Sequence, residues 1–259
     1  MCQGRQPNGA TIAGGHLEGP YLNVERCGAQ NPEYIPAPED AEVRELLDVG
    51  VLRLVDVAPE FETNHALMRE CVRRGITVSA AHTSGTYEDM VHAAEMGLSH
   101  VTHTFNAQTG LHHRNPGVLG AAMTIDTLNC ELIADNIHVH PAAMNALWRA
   151  KGCDRVILIS DSVRAGGMPP GEYLFDERMV VLRDGAVRLP DKTLAGSVLT
   201  LDLALKNFMA ATGTSLAEAW PVSSLNAARA VKLSHRKGSI EVNKDADLVL
   251  VDDDITVHL

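Results

Sequence analysis

The sequence lacks paired cysteines, a surplus of basic residues and long apolar runs. Its cysteines are odd in number and form no Cys-x-x-Cys pair, which predicts reduced thiols at Cys2, Cys27, Cys71, Cys130 and Cys153. A formal net charge of −11 argues against binding to nucleic acid or to an anionic membrane. No apolar run approaches membrane-spanning length, and the N-terminal MCQGRQPNGA has no apolar signal core. Together these features predict a cytoplasmic protein.

Aromatic residues are also few, whereas histidine is abundant. The chain has four Tyr and four Phe but twelve His, and histidine is the commonest metal ligand and a proton carrier near neutral pH. Hydrophobic residues make up 45% of the 259 positions, so the chain can bury a substantial core. This length suits one large domain, or one domain with a small appendage.

Short apolar runs alternate with amphipathic stretches. The runs predict strands near residues 11–19, 51–60, 76–84, 100–107, 129–139 and 155–163. Helical spacing followed by a glycine predicts helices over residues 38–50, 64–75, 86–97 and 141–152. Such alternation indicates a parallel sheet, either a (β/α)8 barrel or a doubly wound sheet. No Gly-x-Gly-x-x-Gly motif opens a helix, which weighs against a nucleotide-binding sheet.

The pattern changes after Asp161. Residues 171–189 alternate and contain an Arg-Asp-Gly turn, so they predict a β-hairpin. Two helices are expected near residues 199–212 and 215–231. The tail over residues 237–253 has strand character and predicts a piece of a second, all-β element.

Polar groups end four of the predicted strands, at Glu18, His82, His103 and Asp161. The C-terminal strand ends of a barrel carry its chemistry, so we expect these four side chains at one edge of the sheet. Two histidines and a glutamate form a known catalytic zinc set, which also suits Fe(II). A carboxylate beside such a site, here Asp161, can serve as general base.

Each of these residues also has a structural interpretation. A histidine at a strand end is commonly a hydrogen-bonded core residue, and Glu18 and Asp161 are residue types that cap helices. The coincidence of four such groups in equivalent places favours a functional site.

Several segments stand in the order expected of the N-acetylglucosamine-6-phosphate deacetylase family, within the amidohydrolase superfamily: HLEGPYLN, GAQNPEY, AAHTSGTYEDM, THTFNAQTGLHHRNPG, ELIADNIHVHP, LISDSVRAGG and LAGSVLTLD. The sequence resembles this family over nearly its whole length. The resemblance implies metal-dependent hydrolysis of the acetamide of N-acetylglucosamine 6-phosphate, in amino-sugar catabolism. It also implies one divalent ion, Zn or Fe, as cofactor.

The resemblance further implies a role for individual residues. Glu18, His82 and His103 match the metal ligands, and Asp161 matches the catalytic acid/base. The positions that match substrate contacts are Gln30, Asn106, Ala107, Arg114, His138, Leu194, Ala195 and Gly196.

Among these contacts, Asn106 and Ala107 match a segment that holds the sugar phosphate. Arg114 matches an arginine that reaches the phosphate from the neighbouring subunit of a homodimer, although LHHRNPG alone is typical of an exposed loop. Residues 194–196 match a loop that closes over the substrate. Gln30 stands where relatives carry His or Gln, and its amide can donate to a carbonyl oxygen but cannot carry a proton.

The predicted strands fall short of the family's eight. We therefore expect a partial TIM-type (β/α)8 barrel without its first two strands over residues 1–235, with the hairpin inserted near 171–189. Residues 236–259 are expected to be a remnant of a small β-domain. Open sheet edges expose backbone groups, so the chain is expected to be a fragment, to pair its edges in an oligomer, or to fold with low stability.

Two other functions remain open from the sequence. One is a different amidohydrolase, acting on a cyclic amide or ureide, and the other is an inactive truncated remnant. Arg114, Asn106 and Ala107 favour a phosphorylated substrate, because a substrate without phosphate has no need of them. The sequence does not distinguish the gluco from the galacto epimer.

Overall fold

The computed structural model of the chain describes residues 4–5 and 10–258. Its strands are β1 (Gly4–Arg5), β2 (Thr11–Ile12), β3 (Gly15–Leu17), β4 (Leu52–Val57), β5 (Thr77–Ala80), β6 (His100–Val101), β7 (Asn129–Leu132), β8 (Val156–Leu158), β9 (Gly171–Phe175), β10 (Arg178–Arg183), β11 (Ala186–Arg188), β12 (Leu250–Val251) and β13 (Val257–His258). Its α-helices are α1 (Asp40–Asp48), α2 (His65–Arg73), α3 (Tyr87–Glu95), α4 (Gly117–Thr124), α5 (Pro141–Lys151), α6 (Leu201–Thr212), α7 (Leu216–Ser223) and α8 (Leu225–Ala230).

The main sheet contains six parallel strands in the order β3-β4-β5-β6-β7-β8. Strand order follows chain order, and one α-helix, from α1 to α5 in turn, lies between each pair of successive strands. All six strands expected from the sequence are present, although each is shorter than its apolar run. The arrangement confirms the predicted partial TIM-type fold.

The chain divides into two compact units. The first contains the described residues up to Cys27, together with Pro32–Thr102 and Ala107–Ala121. Its core is built from the apolar faces of β4, β5 and α2, whose buried residues are Leu54, Val55, Val57, Val78, Ala80, Leu67, Met68 and Cys71. Both faces of β4 and β5 are largely buried, as expected for parallel strands covered by helices.

Helix α3 in the first unit begins at a capping box and is followed, as the sequence predicts, by a glycine. Thr86 begins α3 through a reciprocal capping box with Asp89, in which Asp89 N donates to Thr86 Oγ1 at 3.1 Å and Thr86 N donates to Asp89 Oδ2 at 2.7 Å. Gly97 follows that helix with φ of +102°, and a Cβ there would lie 2.8 Å from Val72 Cγ2. Glycine is thus required at Gly97 both by conformation and by space.

Helix α4 was not among the helices expected from the sequence. It begins at the last residue of LHHRNPG, whose preceding residues form a loop as their composition indicates. The residues of α4 are apolar on nearly all sides, and Val118, Ala121 and Ala122 are fully buried. A helix without a polar face lacks the periodic contrast that identifies a surface helix. Burial, rather than amphipathic patterning, stabilises this element.

The second unit contains Gly28–Asn31, His103–Asn106 and the chain from Ala122 onward. Its antiparallel sheet has the order β11-β10-β9, so the predicted hairpin over 171–189 has a third strand. Positive φ at Asp184 and Gly185 forms the expected turn, and positive φ at Asp176 and Glu177 forms a second one. The second turn was missed because glutamate is not a typical residue for that conformation.

The C-terminal region departs from the sequence expectation in two places. The helix expected near 215–231 is divided into α7 and α8 at Ser224, whose φ and ψ of −140° and −77° are not helical. Pro221 lies inside α7 and cannot donate a backbone hydrogen bond. The strand character of 237–253 is realised only at β12, which pairs with β13, and the side chains of Ile240 and Val242 are exposed. The division into a barrel domain over 1–235 and a β-domain remnant over 236–259 stays a prediction.

Candidate functional site

The ligand-type residues predicted at the strand ends come together. Glu18 follows β3, His82 follows β5 and His103 follows β6, each within two positions of the strand end. One ligand atom from each residue lies within 4.8 Å of the corresponding atoms of the other two. His82 and His103 are buried, whereas Glu18 is more exposed. The donor set is that of a candidate Glu/His/His metal site.

The imidazole of His82 is oriented from both sides. Its Nδ1 lies 2.7 Å from Arg26 O, and because a carbonyl oxygen only accepts, Nδ1 is the donor. Its Nε2 lies 2.9 Å from Glu18 Oε1. In the neutral ring Nε2 therefore presents a lone pair beside a carboxylate oxygen. A metal-bound histidine typically has its second nitrogen fixed in this way, so the residues present fit a divalent cation.

Positive φ angles occur at several of the residues singled out from the sequence. The values are +43° at His82, +32° at His103, +50° at Ala107 and +47° at Asp161. Such conformations cost about 1–3 kcal/mol each in a residue other than glycine and persist only where the surroundings impose them. Their occurrence at strand ends, on residues already selected for their chemistry, supports a functional interpretation of this edge.

Asp161 lies three positions beyond β8 and is half-buried. Its carbonyl oxygen accepts a hydrogen bond of 2.8 Å from Ser197 N, and Val163 N donates to Ser197 O at 3.0 Å. Gly196 packs so closely here that a Cβ would lie 2.4 Å from Val163 Cγ1. The loop Leu194–Gly196 is thus held beside the backbone of Asp161.

The same loop is also held on its other side. Ala195 N donates to Val187 O at 2.9 Å, and Ala195 is fully buried in the apolar cluster of the β9–β11 sheet. Leu194 pairs with Arg188 through an isolated antiparallel bridge. These bonds connect the loop predicted to close over substrate with the inserted hairpin.

The segment Asn106–Gln108 forms a tight turn after His103. Asn106 N and Nδ2 both donate to His103 O, at 2.9 and 3.1 Å, and Ala107 O accepts from Thr83 N at 3.0 Å. Gln108 is buried, and neither polar atom of its amide has a hydrogen-bond partner among the described residues. The predicted substrate contacts in this segment, Asn106 and Ala107, do not include Gln108.

Two further predicted contacts lie in loops. Arg114 is exposed, with Nη1 2.7 Å from His113 Nε2, which therefore accepts the hydrogen bond. The rings of His112 and His113 lie 4.3 Å apart. Gln30 is half-buried in the short segment Gly28–Asn31.

His138 forms a close pair with a carboxylate that the sequence analysis did not select. Its Nδ1 lies 2.6 Å from Asp135 Oδ2, while Ile137 N and His138 N donate to Asp135 Oδ1 at 2.8 and 2.7 Å. Burial by itself raises the pKa of Asp135, but the hydrogen bonds from the His138 ring and these two backbone N–H groups outweigh it. The pKa of Asp135 therefore lies below its ordinary value, and the carboxylate is ionised at neutral pH.

Glu60 is a second residue that the sequence analysis passed over, although it ends the predicted strand over 51–60. It lies beyond β4, and its carboxylate accepts hydrogen bonds from Asn23, Thr83 and Ser84. The available signal was its position, since it is a polar residue at a strand end like Glu18 and Asp161.

Two of the described cysteines, Cys71 and Cys130, are buried. Cys27, Cys71, Cys130 and Cys153 are thiols without disulfide bonds, while Cys2 lies outside the described residues. Burial raises the pKa of the Cys71 thiol to about 12 and that of Cys130 to about 11. Neither is a thiolate near neutral pH, so neither acts as a nucleophile there.

Among the described residues, no helix has both the length and the apolar character needed to cross a bilayer.

The chain is similar in sequence to known sugar-phosphate deacetylases. The chain is 37% identical over 251 residues to N-acetylglucosamine-6-phosphate deacetylase of Lysinibacillus sphaericus, and 40% identical over 254 residues to that of Bacillus subtilis. These alignments cover 96% and 97% of this chain but 65% and 64% of the relatives. The chain thus spans about two thirds of their length. An N-acetylgalactosamine-6-phosphate deacetylase of Escherichia coli O157:H7 is 38% identical, with 99% of this chain and 68% of the relative covered.

Solved structures give the same result. N-acetylglucosamine-6-phosphate deacetylase of Thermotoga maritima matches with a TM-score of 0.89 and 36% identity, over 95% of this chain and 66% of that one. The enzyme of Pasteurella multocida matches with a TM-score of 0.91 and 32% identity, over 98% and 66%. These matches confirm the resemblance inferred from the motifs. Because the amidohydrolase family model also matches residues 6–259, the chain belongs to the amidohydrolase family.

Proposed function

We propose that this chain carries the active-site residues of a metal-dependent deacetylase that hydrolyses the acetamide of N-acetylglucosamine 6-phosphate. The products are glucosamine 6-phosphate and acetate, and the reaction belongs to amino-sugar catabolism. The convergence of Glu18, His82 and His103 within 4.8 Å carries the proposal. The names of the relatives supply the substrate.

Glu18, His82 and His103 would hold one divalent ion, zinc or iron, because a carboxylate and two imidazoles suit both metals. When bound, such an ion lowers the pKa of its water toward about 7 and polarises the substrate carbonyl. The hydrogen bond from His82 Nδ1 to Arg26 O supports this role, since it keeps Nε2 available as the ligand atom.

Asp161 acts as the general base and then as the general acid. It accepts a proton from the attacking water as the new C–O bond forms at the acetyl carbonyl. It returns that proton to the amine nitrogen as the C–N bond breaks. The amide of Gln30 donates a hydrogen bond to the acetyl oxygen, where negative charge develops. The positive φ of Asp161 and its link to the 194–196 loop support a fixed position for the carboxylate.

The remaining residues bind and enclose the sugar phosphate. Arg114 donates to the phosphate across the interface of a homodimer, because a guanidinium matches a phosphate with paired charge-assisted hydrogen bonds. Its exposure supports that assignment. His138 contacts the sugar, and the other contacts come from Asn106, Ala107, Leu194, Ala195 and Gly196.

We also propose a cytoplasmic location and a small-molecule substrate. Thiols without disulfide bonds support a cytoplasmic enzyme. The net charge of −11 supports a small-molecule substrate rather than nucleic acid or a membrane surface.

A metal analysis of the purified chain, combined with an acetate-release assay on N-acetylglucosamine 6-phosphate, tests the proposal. We expect one divalent ion per chain and acetate release. Asp161→Asn should retain the metal and lose about 10²- to 10⁴-fold in kcat, the usual contribution of a general acid–base group. Near-full activity of this variant would contradict the role of Asp161.

The same assay separates the alternatives. A chain that binds metal but releases acetate only after the phosphate is removed from the substrate, or that hydrolyses a cyclic amide instead, would indicate another amidohydrolase. A folded chain that binds no metal and releases no acetate would be an inactive remnant.

A second candidate substrate is the galacto epimer. It is favoured by the N-acetylgalactosamine-6-phosphate deacetylase that is 38% identical to this chain. The ratio of kcat/KM for the two 6-phosphates decides between them.

A further inference from the structure

Glu60 lies beyond β4 and is half-buried. Its Oε1 accepts hydrogen bonds from Asn23 Nδ2 at 2.9 Å and from Ser84 N at 2.8 Å. Its Oε2 accepts a hydrogen bond from Thr83 Oγ1. One carboxylate is thus matched by three donors, which is an arrangement for an acceptor-only group.

The three donors belong to the two segments that carry metal-ligand candidates. Asn23 lies on the segment that leads away from Glu18, whereas Thr83 and Ser84 directly follow His82. Asn23 N also donates to His82 O at 2.9 Å, which joins the two segments next to the histidine itself.

Arg26 completes a closed ring of contacts. Its carbonyl accepts from His82 Nδ1, and its Nε donates to Ser84 Oγ at 3.1 Å. His82 is thereby held from the preceding segment and from the residues that follow it. Glu60 accepts hydrogen bonds from both of these segments, from Asn23 on the first and from Thr83 and Ser84 on the second.

The direction of each hydrogen bond within the ring is determined. Thr83 Oγ1 accepts from Gly85 N at 2.9 Å, so its single proton is given to Glu60. A Cβ at Gly85 would lie 3.0 Å from Thr83 Oγ1 and 3.6 Å from Glu60 Oε2, which leaves little room for the loop to move. His82 itself has a φ of +43°, a conformation that costs energy in a residue other than glycine and persists only where the surroundings hold it.

We propose that Glu60 is a positioning residue for the metal site. It acts through Thr83, Ser84 and Asn23 to hold His82 so that Nε2 faces Glu18. The inference rests on the proposed function in one respect, namely that Glu18, His82 and His103 hold a divalent ion. In the hydrogen bonds described above, the partners of Glu60 are Asn23, Thr83 and Ser84 rather than the ligand candidates themselves.

The test is the affinity of the purified full chain for Zn²⁺, measured by competition with a chromogenic chelator. Outer-shell partners of metal ligands typically contribute 10- to 100-fold in affinity. We expect Kd for Zn²⁺ to rise by about 10-fold in Glu60→Gln, which keeps one acceptor oxygen, and toward about 100-fold in Glu60→Ala.

Glu62→Gln is the matched control, because it removes the same charge two positions away on an exposed side chain. It should leave Kd unchanged, which separates positioning from general attraction of a cation by negative charge. A purely structural role of Glu60 would lower the melting temperature of the metal-free chain but leave Kd of the folded protein unchanged.

Thr83 provides a second route if Glu60→Ala fails to fold. Thr83→Val keeps the shape and removes the hydroxyl, so it should weaken Zn²⁺ binding, whereas Thr83→Ser restores the hydroxyl and should restore the affinity. Circular dichroism confirms folding of each variant. Unchanged affinity in folded Glu60→Gln and Thr83→Val would overturn the positioning role alone. Failure of the unaltered chain to bind Zn²⁺ would overturn the proposed metal site, and this inference with it.

Discussion

Two histidine–carboxylate pairs in this protein look alike in distance but differ in origin. Glu18 and His82 approach to 2.9 Å across a sequence separation of 64 residues. Asp135 and His138 approach to 2.6 Å within a single turn, at a separation of three. The first pair exists only because the ends of the parallel strands β3 and β5 lie at the same edge of the sheet, whereas the second is formed by its own loop.

The surroundings of the two carboxylates differ as well. The Glu18 side chain retains 34% exposure and the Asp135 side chain 8%. Asp135 accepts two backbone hydrogen bonds besides the histidine, and these stabilise its ionised form. In the Glu18–His82 pair the outer ring nitrogen is already occupied by Arg26 O, so both facing atoms are potential ligands. The local pair therefore orients the His138 ring. The long-range pair instead places two ligand atoms, from Glu18 and His82, beside each other as a metal site requires.

The largest expected effect is on the long-range pair. Glu18→Gln replaces an anionic ligand by a neutral amide, so affinity for Zn²⁺ should fall by more than the roughly 100-fold that marks the upper range for outer-shell changes. Acetate release should fall with it. Chelator competition measures the affinity, and unaltered thermal unfolding of the metal-free variant is the control. Retained affinity would show that Glu18 is not a ligand.

The matched amide substitution in the local pair should act on substrate instead. Asp135→Asn leaves an acceptor oxygen for the backbone N–H groups but changes the partner of His138 Nδ1. We expect kcat/KM for N-acetylglucosamine 6-phosphate to fall by about 10-fold, which corresponds to loss of roughly one hydrogen bond. Zn²⁺ affinity should stay the same, and a loss of metal in Asp135→Asn would erase the distinction between the pairs.

Double-mutant cycles in metal-free protein sharpen the comparison in energy. Asp135→Asn and His138→Gln should couple by about 1 kcal/mol or more in the free energy of unfolding, because their contact is buried and charge-assisted. Glu18→Gln and His82→Gln should couple by less than about 0.5 kcal/mol, as is common for more exposed pairs. Urea unfolding supplies the four values for each cycle. Equal coupling would mean that both pairs serve the fold.

The smallest effect concerns pH. The pKa of Asp135 is lowered in the folded state, so its contribution to stability is present above about pH 4, the ordinary pKa of an unfolded aspartate. That contribution is lost as pH falls through the lowered folded pKa. The difference in unfolding free energy between the unaltered chain and Asp135→Asn should therefore be full at pH 7 and shrink at lower pH. A difference that grows on acidification would reverse the assigned shift.

Much of the architecture could be predicted from local pattern. The six strands and the helices that end at glycine follow from apolar periodicity and from glycine φ values such as +76° at Gly75. Helix α4 could not be predicted in this way, because its apolar residues carry no polar contrast. Strand character at Ile240 and Val242 was not realised, since a strand also requires a partner to share its hydrogen bonds.

The sequence by itself determined which residue types end the strands, and hence the chemistry that Glu18, His82, His103 and Asp161 can offer. Their order along the chain follows from the alternation of β and α, which is a local property. Only the tertiary structure decided that Arg26 O orients His82 and that Glu60 holds the loop behind it. The physical reason is that hydrogen-bond partners depend on distances through space, which adjacent sheet strands set and which sequence separation does not encode.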